Sequence, residues 1–196
     1  MVDRNAFDVA TRIAAGDDKA NYDNVAIALH WLTALLVIIQ FALAVTWDYF
    51  SHDTREAMQS THISFGILLT AVVVARLIWR WTHHRSPIVS GWMKTASTSV
   101  HYLLYVLLVV QAALGWTIGW SVGHPIHFFG IGIPSPIGEL ARPLRHEIRE
   151  IHEKVGWGIV IIAFGHALAA LYHHYKLHDR VLGRMLPLAR PERARG

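Results

Sequence analysis

The sequence contains no cysteine. That absence removes disulfides, thiolate-bound iron–sulfur clusters and covalent attachment of haem through a C-x-x-C-H motif. Charge is scarce as well: 16% of the 196 residues are Asp, Glu, Lys or Arg, against 53% hydrophobic residues. Such a chain is too apolar and too charge-poor for an ordinary soluble domain, and its solvent is a bilayer. A spanning helix needs about 20 apolar residues, so there is room for four or so and a large transporter is excluded. His152-Glu153 is followed by Lys-Val-Gly, which is no H-E-x-x-H zinc motif. Gly130-Ile-Gly132 is followed by Ile-Pro, without the third glycine or the strand–helix setting of a dinucleotide site, and no phosphate loop is present. Internal repeats and a second domain are not evident. What remains is histidine, with 14 copies in a chain that has only 14 acidic residues. An apolar interior disfavours ionisable groups, so function is to be sought among these histidines.

Four apolar runs read as transmembrane helices, at about residues 25–47, 61–81, 99–120 and 153–175. The fold class is therefore all-α, an integral membrane four-helix bundle. The first run has no formal charge, and His30 and Gln40 are its polar exceptions. Trp47, Trp79, Trp81, Trp116, Trp120 and Trp157 fall towards the run ends, where an amphipathic ring gains from headgroup depth. Residues 1–24 form a polar tail rather than a cleavable signal peptide, and residues 176–196 a basic one. The loop from Ser121 to Ile151 is the longest and is expected to end in a short helix feeding the fourth span. Lys and Arg number 12 on the side of the two tails and the 80–94 loop, against five on the other side, with Arg76 inside the second span. The positive-inside rule places both termini in the cytoplasm. The basic tail suits anionic lipid, and nucleic-acid binding is not expected.

Within the spans, His30 lies near the cytoplasmic face and His62 opens the second helix at the opposite, outer face. His152 and His166 both lie on the fourth helix. Their fourteen-residue spacing returns to within about 40° of the same face over a rise of ~21 Å. His152 thus matches His62 in depth, and His166 matches His30. Two stacked bis-histidine haems between the helices of a bundle require this placement. The residue four positions on is small after each of the four: Ala34, Gly66, Gly156 and Ala170. After His101 and His173 it is Tyr105 and Leu177. Small residues one turn away let a flat ring lie against the helix, although they also permit close helix packing. Arg76, fourteen residues after His62, has two readings: partner of a haem propionate, or a cation that snorkels to the headgroups. His101, His173 and His174, near the cytoplasmic ends of their helices, either bond propionates or a quinone carbonyl or snorkel likewise.

Five stretches carry a family resemblance: Ala28-Leu-His30-Trp31-Leu32, Thr61-His62-Ile-Ser-Phe-Gly66, Arg76-Leu-Ile-Trp-Arg80, Glu150-Ile-His152-Glu153 and the run from Gly165-His166 to His173-His174-Tyr175. Together they resemble the prokaryotic cytochrome b561 family over roughly residues 22–188, and the likeness includes the closing Arg184-Met185-Leu186-Pro187. The resemblance implies a di-haem b protein of the bacterial inner membrane, with axial ligands at His30, His62, His152 and His166. One member type, a superoxide oxidase, takes electrons from superoxide and passes them to ubiquinone. On that pattern the expected cofactors are two haem b, with ubiquinone as acceptor. Arg149 and Lys154 flank His152 in sequence and would attract the small anion. A second redox reading is a haem b anchor subunit that reduces quinone for a hydrogenase-like periplasmic dehydrogenase, with the long outer loop as its docking surface. From another class, a histidine-lined metal or proton transporter is disfavoured because no Asp or Glu lies deep within a span.

Overall fold

The chain, in a computed structural model, is described over residues 23–83 and 91–178 together with Leu182 and Met185. Residues 1–22, residues 84–90 and most of the basic C-terminal tail, whose Lys and Arg entered the charge count above, lie outside the described residues. Four long helices follow in chain order: α1 (Asn24–Thr46), α2 (His52–Thr82), α3 (Gly91–Trp120) and α4 (Arg142–Tyr175). Each is long and apolar enough to cross a membrane, and the all-α, four-helix membrane architecture is as expected.

The helices outrun the apolar runs that announced them. α2 starts at His52 rather than Thr61, and α3 at Gly91 rather than Ser99. The short helix expected before the fourth span is the start of α4 itself, which begins at Arg142 with Pro143 in its first turn. An apolar run marks only the length that crosses hydrocarbon, whereas main-chain hydrogen bonding continues through polar turns until a breaker stops it. Asp23 caps α1, accepting from the Ala26 N–H at 2.8 Å. The same carboxylate accepts from Trp79 Nε1 at 3.0 and 3.2 Å, which ties the start of α1 to the end of α2.

α1 passes into α2 through a 3₁₀ turn, Trp47–Tyr49, so the two are antiparallel neighbours. α1 packs chiefly on α2 and α3 on α4, with α2 and α3 joining the pairs. The buried core is thin: Val73, Leu108 and Ile159, with Val37, Leu69, Leu77, Leu107 and Val155 against them. All but Leu77, which follows Arg76, lie between the two levels of histidine. Much of the remaining apolar surface is exposed, as with Ile38, Ile78, Val106, Ile161 and Phe164, which suits helices whose outer faces meet lipid rather than water.

Between α3 and α4 the chain forms a two-stranded antiparallel hairpin, β1 (Ile126–Phe128) and β2 (Ile131–Ile133), with Ile126 opposite Ile133. Its turn residues Phe129 and Gly130 have φ of 46° and 89°. Two left-handed residues in succession match the twist of the strands, at a steric cost for the non-glycine one. The hairpin seats on the bundle through Ser64, which is 2% exposed. Ser64 Oγ donates to the His127 carbonyl at 3.3 Å and accepts from the Phe129 N–H at 3.1 Å. Ile126 lies over Gly119, where an added Cβ would stand 2.7 Å from its Cγ2. The bundle thus has a hairpin end and an opposite, terminal end, to which α1 and α4 bring the chain termini.

Candidate functional site

At the hairpin end, α2 and α4 direct His62 and His152 at each other with ring centroids 6.4 Å apart. Two imidazoles that share one metal ion, each about 2 Å from it, have centroids roughly 6 Å apart. His62 Nδ1 lies 3.2 Å from the main-chain carbonyl of Gln40. Donation to that carbonyl fixes the proton on Nδ1 and leaves the Nε2 lone pair directed into the bundle, the usual second partner of a metal-ligating histidine. On the other side Gln111 Nε2 lies 3.2 Å from His152 Nε2, and His152 Nδ1 forms no hydrogen bond among the described residues. Trp47 packs edge-on against His62 at 5.4 Å. The ring of His152 rests where a side chain on Gly115 would intrude, at 3.3 Å from its Cε1.

Four buried polar atoms have no hydrogen-bond partner among the described residues: Gln40 Oε1, Gln111 Oε1, Trp120 Nε1 and His152 Nδ1. All belong to this half of the bundle, and an unmatched buried polar group costs about 1–3 kcal/mol. Gly66 and Gly156, one turn after the two histidines, have no room for a Cβ. It would stand 2.9 Å from Gln40 Nε2 and 3.2 Å from Gln111 Nε2 respectively. Facing imidazoles, a fixed tautomer and unsatisfied polar atoms fit a bis-histidine haem. The space over each glycine, expected from the sequence to accommodate the porphyrin face, is bordered in the structure by a glutamine amide.

At the terminal end, His30, His101, His166 and Arg76 converge. Arg76 donates to His30 Nδ1 at 2.8 Å and lies 5.2 Å over the Tyr105 ring. It is thus engaged with His30 and Tyr105. His101 meets His166 edge-on at 4.9 Å, and both lie within electrostatic range of His30. Arg80 stacks over Tyr102 and Tyr105, at 5.4 Å from each. His173 is half-buried and His174 exposed beside Tyr175. The tail returns to this end, where Trp31 Nε1 donates to the Met185 carbonyl at 2.6 Å.

The two cations beside His152 differ. Lys154 bonds Glu150 at 2.9 Å, and Glu150 also faces His146 at 3.3 Å. Arg149 has no ion pair among the described residues. Together with Arg142, Arg145 and His146 it lines an open cleft whose other wall is Ile118, Ser121 and Val122.

Some of the site escaped sequence reading. Gln40 stood out only as a polar residue in an apolar span, and Gln111 not at all. Their signal lies in a hidden repeat, contrary to the expectation of none. Gln40 follows His30 by ten residues, as Gln111 follows His101. Gly66 and Arg76 follow His62 by four and fourteen, as Gly156 and His166 follow His152. The contacts obey the same correspondence. Gln40 meets His62 through its main-chain carbonyl where Gln111 meets His152 through its amide nitrogen, and the His30–Arg76 contact corresponds to His101–His166.

Comparison with known proteins gives the same picture of the chain. The family described as "Prokaryotic cytochrome b561" matches residues 21–188. Cytochrome b561 homolog 1 of Escherichia coli K12 is 31% identical over 172 residues, covering 85% of this chain and 97% of the relative. Homolog 2 of the same organism is also 31% identical over 172 residues, covering 84% and 90%. A protein of Yersinia pestis named probable superoxide oxidase CybB is 28% identical over 173 residues, covering 86% and 97%. With four membrane-crossing helices and a family match over nearly all of its length, the chain belongs to the prokaryotic cytochrome b561 family, multi-pass inner-membrane proteins of electron transport that use haem b.

Proposed function

We propose that this chain binds two b haems, takes electrons from superoxide at its hairpin end and delivers them to ubiquinone at its terminal end. The observation that carries the reading is the facing pair His62 and His152, with the His62 tautomer held by the Gln40 carbonyl. His30 and His166 form the second pair. When bound, haem iron supplies one-electron chemistry; the residues of the chain supply placement and electrostatics. His62 on α2 and His152 on α4 would together hold the iron of one haem. Arg76 has only donors, so His30 accepts its bond through Nδ1. Were His30 to hold haem iron with its proton on Nδ1, it could no longer accept from Arg76, and that guanidinium would be left to an anion such as a propionate.

The overall balance is two superoxide anions giving two dioxygen molecules, with two electrons and two protons taken up by ubiquinone. Arg149, unpaired beside His152, draws a small anion toward the hairpin end, whereas Lys154 is largely offset by Glu150. His101, His173 and His174 offer donors for a quinone carbonyl or a propionate. The bias of Lys and Arg supports a cytoplasmic terminal end and a periplasmic hairpin end. The name of the Yersinia pestis relative supports superoxide as donor.

The test is to expose the purified, oxidised protein without oxygen to a superoxide source and follow the haem spectrum, with superoxide dismutase as control. Reduction that dismutase abolishes, and that proceeds without any partner subunit, supports the reading. Reduction that ignores dismutase, or that needs a partner, gives way to the anchor-subunit reading.

A further inference from the structure

We propose that Gln40 and Gln111 are a matched pair of positioning residues that raise the reduction potential of the haem held by His62 and His152. The inference rests on the two-haem reading above. It starts from the correspondence between the helix pairs, in which each glutamine occupies the same station: ten residues after a histidine of its own helix, and level with the glycine one turn beyond the facing histidine of its neighbour.

Gln40 supports the neighbouring histidine through its main chain, with its carbonyl 3.2 Å from His62 Nδ1. Its side chain then turns the amide nitrogen toward the glycine one turn after that histidine. Gln111 Nε2 lies 3.2 Å from His152 Nε2. The positions of a Cβ on Gly66 and Gly156 are 2.9 and 3.2 Å from the two amide nitrogens. Both amide oxygens are buried without partners among the described residues. An unsatisfied amide amid helices facing lipid is costly, and here the cost recurs at corresponding places on α1 and α3.

Both amide nitrogens stand over the glycine one turn beyond a histidine of the facing pair, and that of Gln111 also reaches His152 itself. In a medium of low dielectric, the positive ends of two such dipoles stabilise an added electron between His62 and His152. The terminal end has no equivalent pair. Its corresponding contacts are made by a guanidinium on one side and an imidazole on the other.

The experiment is a potentiometric titration of the full-length haem-loaded protein, with haem counted as the pyridine haemochrome. Variants are Gln40→Met, Gln111→Met and the double variant, because Met matches Gln in length but carries no N–H. Each single change is expected to shift the reduction equilibrium of the hairpin-end haem about two- to tenfold toward the oxidised form, the range of one neutral hydrogen bond. The double change should shift it further, with the other haem unmoved. Two haems at unaltered or raised potential would overturn the proposal, as would equal shifts of both haems. Should the Met variants lose haem, Gln40→Glu and Gln111→Glu decide, since they keep shape and polarity but replace the donor with an acceptor. A lower potential at the hairpin end supports the proposal and an unchanged one overturns it. A wild-type chain with fewer than two haems defeats the underlying reading instead, whatever the variants do.

Discussion

The two ends of the bundle use corresponding positions for different purposes. At the hairpin end the corresponding residues are identical: two histidines, two glutamines and two glycines, placed alike by α1–α2 and by α3–α4. At the terminal end the correspondence holds in position and fails in chemistry, because Arg76 stands where the second pair has His166. The first arrangement encloses, with Ser64 fastening the hairpin two residues beyond His62. The second brings a cation, three imidazoles and the Tyr105 ring into one region. One scaffold thus gives a matched site suited to holding a group and an unmatched site with donors to spare. The difference between them turns on few residues.

The largest expected effect would break the comparison outright. His152→Ala should lower the haem count from two to one per chain and spare the terminal-end spectrum, as should His62→Ala; loss of both haems, or of neither, would refute two separate pairs. Next, Arg76→Leu should lower the potential or occupancy of the terminal-end haem only. A hydrogen bond from a charged group contributes about 1.5–3 kcal/mol, a tenfold shift or more. A titration identical to wild type at that end would leave Arg76 as packing against Tyr105. Ser64→Ala sharpens the description of the enclosed end. It removes both fastenings of the hairpin at a cost of about 1–3 kcal/mol, so exchange of the Phe129 amide hydrogen should accelerate with the haem count unchanged. Exchange at the wild-type rate would show that Ile126 over Gly119 is a sufficient anchor.

The smallest effect concerns arrival rather than binding. Arg149→Gln should slow haem reduction by superoxide a few-fold at low salt and flatten its dependence on ionic strength, since the Debye length falls from about 30 Å at 0.01 M to about 8 Å at 0.15 M. Stopped-flow rates at several salt concentrations report both quantities. Lys154→Gln, whose charge is already offset by Glu150, should change either one less.

Much of this architecture was legible because lipid imposes simple rules. Four apolar runs dictated four helices, and the fourteen-residue interval from His152 to His166 put both on one face. The ends of the helices were less legible. The polar turns from His52 to Ser60 carry no long apolar run, and those from Arg142 to His152 only the spaced Leu144, Ile148 and Ile151, although nothing in them interrupts main-chain hydrogen bonding. The hairpin was hidden for another reason: its strands are three residues each, and its turn is Phe-Gly rather than Asn-Gly. Gln40 was hardest to read, because the atom it offers His62 is a main-chain carbonyl, which every residue possesses. Which carbonyl faces which ring is decided by how two helices pack, and the sequence expresses that only through the spacing of Gly66 and Gly156.

The division of the facing histidines between α2 and α4 also imposes a timetable on biogenesis. His62 precedes His152 by 90 residues, which a ribosome adding 5–20 residues per second needs about 5–20 s to make. Throughout that interval the growing chain carries one member of each proposed pair, His30 and His62, and the complementary members do not yet exist. Neither pair can close until the last helix has been inserted, so capture of the prosthetic groups is necessarily a late event of assembly.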